Sequence, residues 1–284
     1  PDRWRGELDA GSCDGLAFWG TLVVVADAPV SQYDRLRGIL GGRPPAAPVA
    51  TVALSGRGFH GHRGRPWRTE PGNLHLCAAL PARLPAAAVG VAPTMLPVVA
   101  VADAVRVASG GRVAAGIKWV NDLLVDGRKV AGALTACHAQ AGLVELVVLG
   151  IGVNVERVPA VPADPFVPAV GRLSGAAAGW RPRPGEILRA LLATLSIRFR
   201  ELEREGPGPL LEAYRERSLV VGRAVRVWDE DVDGRSDPRR WPAPLARGVV
   251  REIAPDLGLL LDGHPVAVTR GRLALEETCL RLGI

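Results

Sequence analysis

Hydrophobic positions along the chain fall into runs whose spacing sorts them into strands and helices. Residues 21–27, TLVVVAD, are an unbroken apolar run rich in β-branched side chains, which predicts a buried strand. Ser31 stands at the N-cap position of a short helix to Leu40, which Gly41 and Gly42 stop. A second strand is expected at 49–54 and a third, alternating, at 73–80; between them lies a polar Gly/Arg loop at 55–71. After the prolines at 93 and 97, apolar residues take helical spacing up to Gly110 and Gly111. Residues 117–125 and 130–137 read as two strands joined through Asp126-Gly127, a dipeptide favoured in tight hairpin turns, and 143–155 continues the sheet. Hairpin connections of this kind exclude the alternating βαβ order of a dinucleotide fold. A proline-rich loop spans 156–170, a broad helical stripe occupies 186–205, and a short helix is expected at 210–217.

Texture changes at Ser218. Beyond it, short strand-like runs at 224–228, 247–253, 257–261 and 265–268 are separated by Asp-Gly turns, a pattern that suggests a small β-barrel. The expected organisation is therefore a larger unit, 1–217, and a smaller one, 218–284; a chain of 284 residues has room for both.

Composition narrows the partners. No apolar run approaches the about 18 residues a membrane span requires, and the charged N-terminus has no signal-peptide core, so a cytoplasmic address is expected. Cys13, Cys77, Cys137 and Cys279 form no C-x-x-C pair and read as reduced thiols. The net charge of +6 invites a nucleic-acid reading, but the arginines are spread along the chain among acidic residues, so no specific nucleic acid is expected. Lysine is scarce. Only Lys118 and Lys129 occur, and with the three asparagines Asn73, Asn121 and Asn154 they all lie between residues 73 and 154. A chain that elsewhere uses arginine keeps the compact, strongly hydrated ammonium in this one region.

Three segments carry candidate chemistry. The loop SGRGFHGHRGRPWRTEP sets Arg57, Arg63 and Arg65 among glycines, a combination that lets backbone approach a ligand while guanidinium groups clamp an anion. KWVND places Lys118, Asn121 and Asp122 at a strand end, and the following strand opens with Lys129 and Gly132, a set suited to nucleotide phosphate and Mg²⁺. GIGVN adds Gly150 and the Asn154 amide. Trp67 and Trp119 read as packing residues, and His60 and His62 as solvated loop residues; the five histidines show no metal-ligand spacing.

Taken in order, the matches GRG at 56–58, RGRPW at 63–67, PGNLHL, KWVNDLLVDGRKVAGALT at 118–135 and GIGVN resemble biotin protein ligases, which join biotin to a lysine of a carrier protein. The usual KWPND form has Val120 here at its third position. The resemblance covers about residues 16–217. It implies an α+β fold with a mixed, mainly antiparallel sheet packed with helices, like class II aminoacyl-tRNA synthetases and lipoate ligases, followed by a small SH3-like barrel. The helix-turn-helix segment of the subgroup that also represses transcription is not seen ahead of the first strand.

The resemblance also implies roles. Ser31, Gln32, Gly56, Arg57, Gly58, Lys129, Gly132 and Gly150 would hold biotin; Arg63, Arg65, Trp67, Lys118, Asn121 and Asn154 would serve ATP; Asp122 would hold Mg²⁺ or take the acceptor amine's proton. Lys129, Arg57, Asp122 and Lys118 would be the catalytic set, and the second substrate a biotin carboxyl carrier protein. Three departures stand out. Ser31-Gln32-Tyr33 replaces the usual Ser-Thr-Asn, Ala53 replaces a glutamine three residues before GRG, and the closing loop carries Phe59, His60, Gly61 and His62 as an insertion. Gln32, from a neighbouring strand end, is expected to supply the missing amide. A lipoate or octanoate ligase of the same fold and a non-catalytic biotin or nucleotide sensor are the alternative readings.

Overall fold

The computed structural model describes residues 16–167 and 169–284. The charged N-terminal stretch, to which the expectations about a leader and a helix-turn-helix segment refer, lies outside the described residues.

Seven strands build the main sheet: β1 (Thr21–Val25), β2 (Val49–Ala53), β3 (Leu74–Pro85), β4 (Gly116–Lys118), β5 (Asp122–Val125), β6 (Arg128–Gln140) and β7 (Leu143–Val153). Their order is β1-β2-β3-β7-β6-β5-β4; β1 and β2 run parallel and every other pair is antiparallel. The Asp126-Gly127 turn between β5 and β6 has both residues at positive φ, 49° and 71°, as a two-residue hairpin loop requires. The expected strand at 117–125 is instead two short strands, β4 and β5, turning back at Trp119 to Asn121. Strand β1 corrects a second expectation. It pairs with β2 alone, at the sheet edge, so that Val23 and Val24 are 41% and 38% exposed despite their apolar run.

The helices are α1 (Gln32–Leu40), α2 (Ala86–Val89), α3 (Ala92–Ala108), α4 (Pro184–Glu205), α5 (Gly208–Glu216) and α6 (Glu276–Leu282). Helix α3 begins before the prolines rather than after them: Pro93 lies in its first turn, where a missing N–H costs nothing, and Pro97 lies inside it. Helices α3 and α4 cover one face of the sheet, burying Met95, Leu96, Val99, Leu188, Leu191, Leu195 and Phe199 against Leu74, Leu76, Ala78, Leu149 and Ile151. Within this layer the Asp103 carboxylate is buried and accepts from Arg198 at 2.8 Å and Arg217 at 2.7 Å, tying α3 to α4 and to the end of α5. Helix α1 covers part of the other face, packing Tyr33 and Leu36 on Cys77, Ala79, Leu146 and Val148. From Leu74 to Leu80 strand β3 is thus buried on both faces, without the polar alternation expected of it, whereas its extension to Pro85 alternates, with Arg83 and Pro85 exposed.

The C-terminal segment forms β8 (Ala224–Trp228), β9 (Ala246–Ile253), β10 (Leu259–Leu261) and β11 (Arg272–Leu275), an antiparallel sheet in the order β10-β9-β8-β11. It is open, with β10 and β11 at its edges, where the sequence suggested a barrel. Residues 265–268, expected as a strand, contribute only the Leu259–Val268 bridge, whereas β11 and α6 were not anticipated. One apolar cluster runs through both sheets, from Leu74 and Leu149 to Val227, Val250 and Leu259. Among the described residues Cys77, Cys137 and Cys279 are free thiols, and no helix is long and apolar enough to cross a membrane.

Candidate active site

Strand register aligns the chemistry. Lys118 pairs with Asp122, Asp122 with Gly132, Gly132 with Gly152, Gly152 with His75, and His75 with Ala53. Directly opposed residues share a sheet face, so these six positions form one row across β4, β5, β6, β7, β3 and β2. Gly152 and His75 belong to the face that α1 covers further along the strands, because Cys77 and Leu146 contact Tyr33 there. Past the end of α1 that face opens into a cavity of about 810 Å³, within the range of small-molecule sites. Gly132, Gly152, His75, Asp122, Lys118 and Lys129 all line it.

At one end of the row the Lys129 ammonium lies 2.6 Å from the Asp122 carboxylate, with their side chains 20% and 18% exposed. The same ammonium is 5.8 Å from the centre of the Trp67 ring, within cation–π range. Trp67 lies flat against the glycines: a methyl at Gly152 would overlap the indole outright, and one at Gly132 would meet it at 3.4 Å. The indole therefore paves the middle of the row as an apolar floor, so that Trp67 is both the expected packing anchor and part of the cavity wall. Tyr33 packs in the same way on Gly150.

Lys118 departs from its expected role at ATP. It is buried, and its Nζ donates to the Phe166 carbonyl at 2.9 Å and the Leu273 carbonyl at 2.7 Å, so its charge joins β4 to the proline-rich loop and to β11. Burial pulls its pKa down to about 8, partly opposed by Asp122. The asparagines are corrected likewise. Asn154 is buried and donates to the Gly171 carbonyl at 3.0 Å, Asn73 holds the backbone amides of Val155 and Arg157 at 2.9 and 3.0 Å, and the Asn121 amide donates to the Ala133 carbonyl. Asn121 and Asn154, the two expected at ATP, thus bond to backbone while still lining the cavity, and Asn73 stands behind them.

The Gly/Arg loop divides. Its first part stays outside the cavity: Arg57 is 78% exposed, with Asp27 at 4.0 Å, and Gly56 and Gly58 do not reach the lining. Its second part, with Arg63, Arg65 and Trp67, folds as a small hairpin over the cavity, closed by hydrogen bonds from the Trp67 amide to the Phe59 carbonyl (2.9 Å) and from Gly61 to Arg65 (2.6 Å). The inserted histidines are not solvated spectators. His60 lies 2.7 Å from Asp34, and its pKa is raised by the Gly61 carbonyl and, against some burial, by Asp34. His62 lies 3.4 Å from Glu230, Arg63 lies 2.5 Å from the same carboxylate, and Arg63 also pairs with Asp231. Although partial burial alone would raise the Glu230 pKa, His62 and Arg63 bring it below the usual carboxylate range. Glu230 and Asp231 belong to the β8–β9 connection, so the insertion ties the loop to the C-terminal sheet.

Ser31 and Gln32 are buried at the cavity wall. Gln32 opens α1 instead of ending a strand, and Ser31 occupies the N-cap without a side-chain capping bond. Sequence reasoning passed over His75, Tyr33 and the Arg272–Asp164 pair at 3.4 Å, with Arg272 stacked 3.9 Å over Phe166. For His75 a signal existed, since it stands in PGNLHL at the polar position of an apolar strand; one arginine among so many offered none. No group of three or more His, Cys, Asp or Glu side chains gathers into a metal cage among the described residues.

Comparison with known proteins agrees with this architecture. Residues 43–154 match the biotin/lipoate A/B protein ligase family. The biotin–[acetyl-CoA-carboxylase] ligase of Mycobacterium tuberculosis is 30% identical over 95% of this chain and 96% of its own. The bifunctional ligase/repressor of Bacillus subtilis is 31% identical over 47% of this chain, which covers 40% of that protein's length. In fold, the biotin protein ligase from Aquifex aeolicus in complex with biotin and ATP superposes with a TM-score of 0.66 at 17% identity, covering 90% of this chain and 98% of that one. A row of paired charges and glycines at the hairpin, together with a relative alike from end to end, gives the conclusion: the chain belongs to the biotin/lipoate A/B protein ligase family.

Proposed function

We propose that the chain is an ATP-dependent biotin protein ligase, activating biotin as biotinyl-AMP and passing it to a lysine of a biotin carboxyl carrier protein, as the name of its full-length mycobacterial relative suggests. The observation that carries this reading is the Lys129–Asp122 pair at the head of a glycine row floored by Trp67. A carboxylate is a poor acyl donor, and adenylation supplies a leaving group. A biotin carboxylate oxygen attacks the α-phosphorus, the bond to pyrophosphate breaks, and negative charge grows where Lys129 is placed to stabilise it. The carrier amine then attacks the acyl carbon, loses a proton, and AMP departs. Gly132 and Gly150, by admitting Trp67 and Tyr33 against the sheet, would shape the acid's wall with Ser31 and Gln32; Arg65, with Arg63 once it leaves Glu230 and Asp231, would meet the nucleotide, and Arg57 with Gly56 and Gly58 would join when the loop closes.

A carboxylate beside a lysine, outside any cluster of three acidic or imidazole ligands among the described residues, suits a Mg²⁺ delivered on substrate phosphates, and Asp122 is the residue that would hold it. When bound, the ion offsets phosphate charge. We place the reaction in the cytoplasm and take the C-terminal sheet as a reduced form of the family's SH3-like barrel. Pyrophosphate release from ATP, measured with biotin, lipoate and octanoate in parallel and followed by mass spectrometry of a carrier domain, tests the reading. Biotin-dependent release and a biotinylated carrier are expected. Release with lipoate alone would reassign the substrate, and no release with any acid would leave a sensor.

A further inference from the structure

His75 is 2% exposed, lines the cavity, and has no hydrogen-bond partner for either ring nitrogen. Burial holds its pKa down to about 4, opposed by an approach to the Glu70 backbone that falls short of hydrogen-bond geometry, so the ring is neutral at physiological pH. A neutral imidazole carries one donor and one acceptor, and leaving both unpaired in a buried site costs about 1–3 kcal/mol per group. A buried polar group left unpaired calls for a partner that completes it. Its neighbours in the row leave it free to do so: Ala53 on one side and Gly152 on the other have no side chain that reaches it. Phe59 holds the ring edge-on, 5.7 Å between centres. Gln32 lines the same cavity.

Three strand spacings, about 14 Å, separate the His75 backbone from that of Asp122 across the row. Side chains at both ends shorten that gap to the reach of an acid with an extended arm and a compact head. With its carboxylate at Lys129 and its arm on the Trp67 floor, such an acid brings its head to His75. Resting on the ligase reading above, we propose that His75 is a specificity-determining residue that recognises the cyclic urea of biotin, pairing one ring nitrogen with the urea carbonyl or N–H. A dithiolane head, which offers no comparable donor or acceptor, leaves the imidazole unpaired and is rejected for that reason.

The test compares the wild-type chain with His75→Phe and His75→Gln in acid-dependent pyrophosphate release, using biotin, desthiobiotin (which keeps the urea and lacks the sulfur ring) and lipoate. His75→Phe is expected to raise KM for biotin and desthiobiotin alike by about tenfold to a hundredfold while leaving lipoate unchanged or improved. His75→Gln, which keeps a donor and an acceptor, should recover most of the loss. In ¹⁵N-histidine spectra of the wild-type chain, biotin should shift one buried ring N–H. Equal losses for biotin and lipoate, no change in biotin KM, or an unmoved His75 resonance would each overturn the proposal while the ligase reading stands. A wild-type chain that releases no pyrophosphate with biotin would instead remove the reading beneath it, and the proposal with it.

Discussion

Replacing Lys129 by alanine separates the two things its ammonium does. In the transition state it is a positioned cation, and loss of one such donor costs about 2.7–4 kcal/mol, or about 10² to 10³ in rate. In the resting protein it neutralises Asp122, whose side chain is only 18% exposed. Orphaning a fully buried partner costs about 3–5 kcal/mol; with about a fifth of each side chain open to screening water, about 2 kcal/mol is the better expectation. In a chain of this size that lowers the melting temperature by about 4–6 °C. Adding Asp122→Asn should return most of that stability, because no bare charge remains, but none of the rate. Biotin-dependent pyrophosphate release and thermal melts on the two single variants and the double variant give both quantities. A Lys129→Ala enzyme with wild-type turnover, or a double variant that melts lower than Lys129→Ala, would refute the reasoning.

Four other outcomes follow from the geometry. Lys118→Met should lose more stability than activity, about 3–6 kcal/mol from two charged hydrogen bonds at about 1.5–3 kcal/mol each, in contrast to Lys129→Ala; a stable variant without adenylation would return Lys118 to the catalytic set. Gly152→Ala should drive the Trp67 indole off its floor and raise biotin KM at least about tenfold, at a stability cost of about 1–3 kcal/mol; unchanged KM would show that the floor is dispensable. Glu230→Gln, or 1 M salt on the wild type, should loosen residues 59–67 and speed their amide exchange about two- to fivefold, as a partly exposed ion network of about 1 kcal/mol allows; equal exchange in all three samples contradicts the tie to the C-terminal sheet. His75 takes up a proton near pH 6.5 when unfolded and near 4 when folded, so the unfolded chain binds more protons between those values and stability must fall with pH through that window, by up to about 3 kcal/mol. Melts from pH 7 to 4.5 should show the wild type losing more than His75→Gln, and parallel curves would contradict the burial argument.

Much of this was legible in the residues. Asp-Gly at 126–127 specifies its hairpin because both residues tolerate positive φ, and the scarce Lys118 and Lys129 both line the cavity. Pattern misled where tertiary position overrode it. TLVVVAD reads as core, yet β1 has a neighbour on one side only; β3 loses its alternation because helices cover both faces. Side-chain destinations were the hardest to read. Nothing local tells that the Lys118 ammonium meets the carbonyl of Leu273, 155 positions away, or that Asn154 faces Gly171. His75 went unread for the opposite reason: its importance comes from partners it lacks.

The C-terminal sheet lends main-chain oxygens to the hairpin end, from Leu273 to Lys118 and from Leu257 to the Trp119 indole at 2.7 Å. Severing the polypeptide near Ser218 would strip those acceptors away and bare the apolar side chains that the two sheets share. The amino-terminal portion is therefore expected not to fold by itself, and the two sheets to melt together in a single cooperative transition.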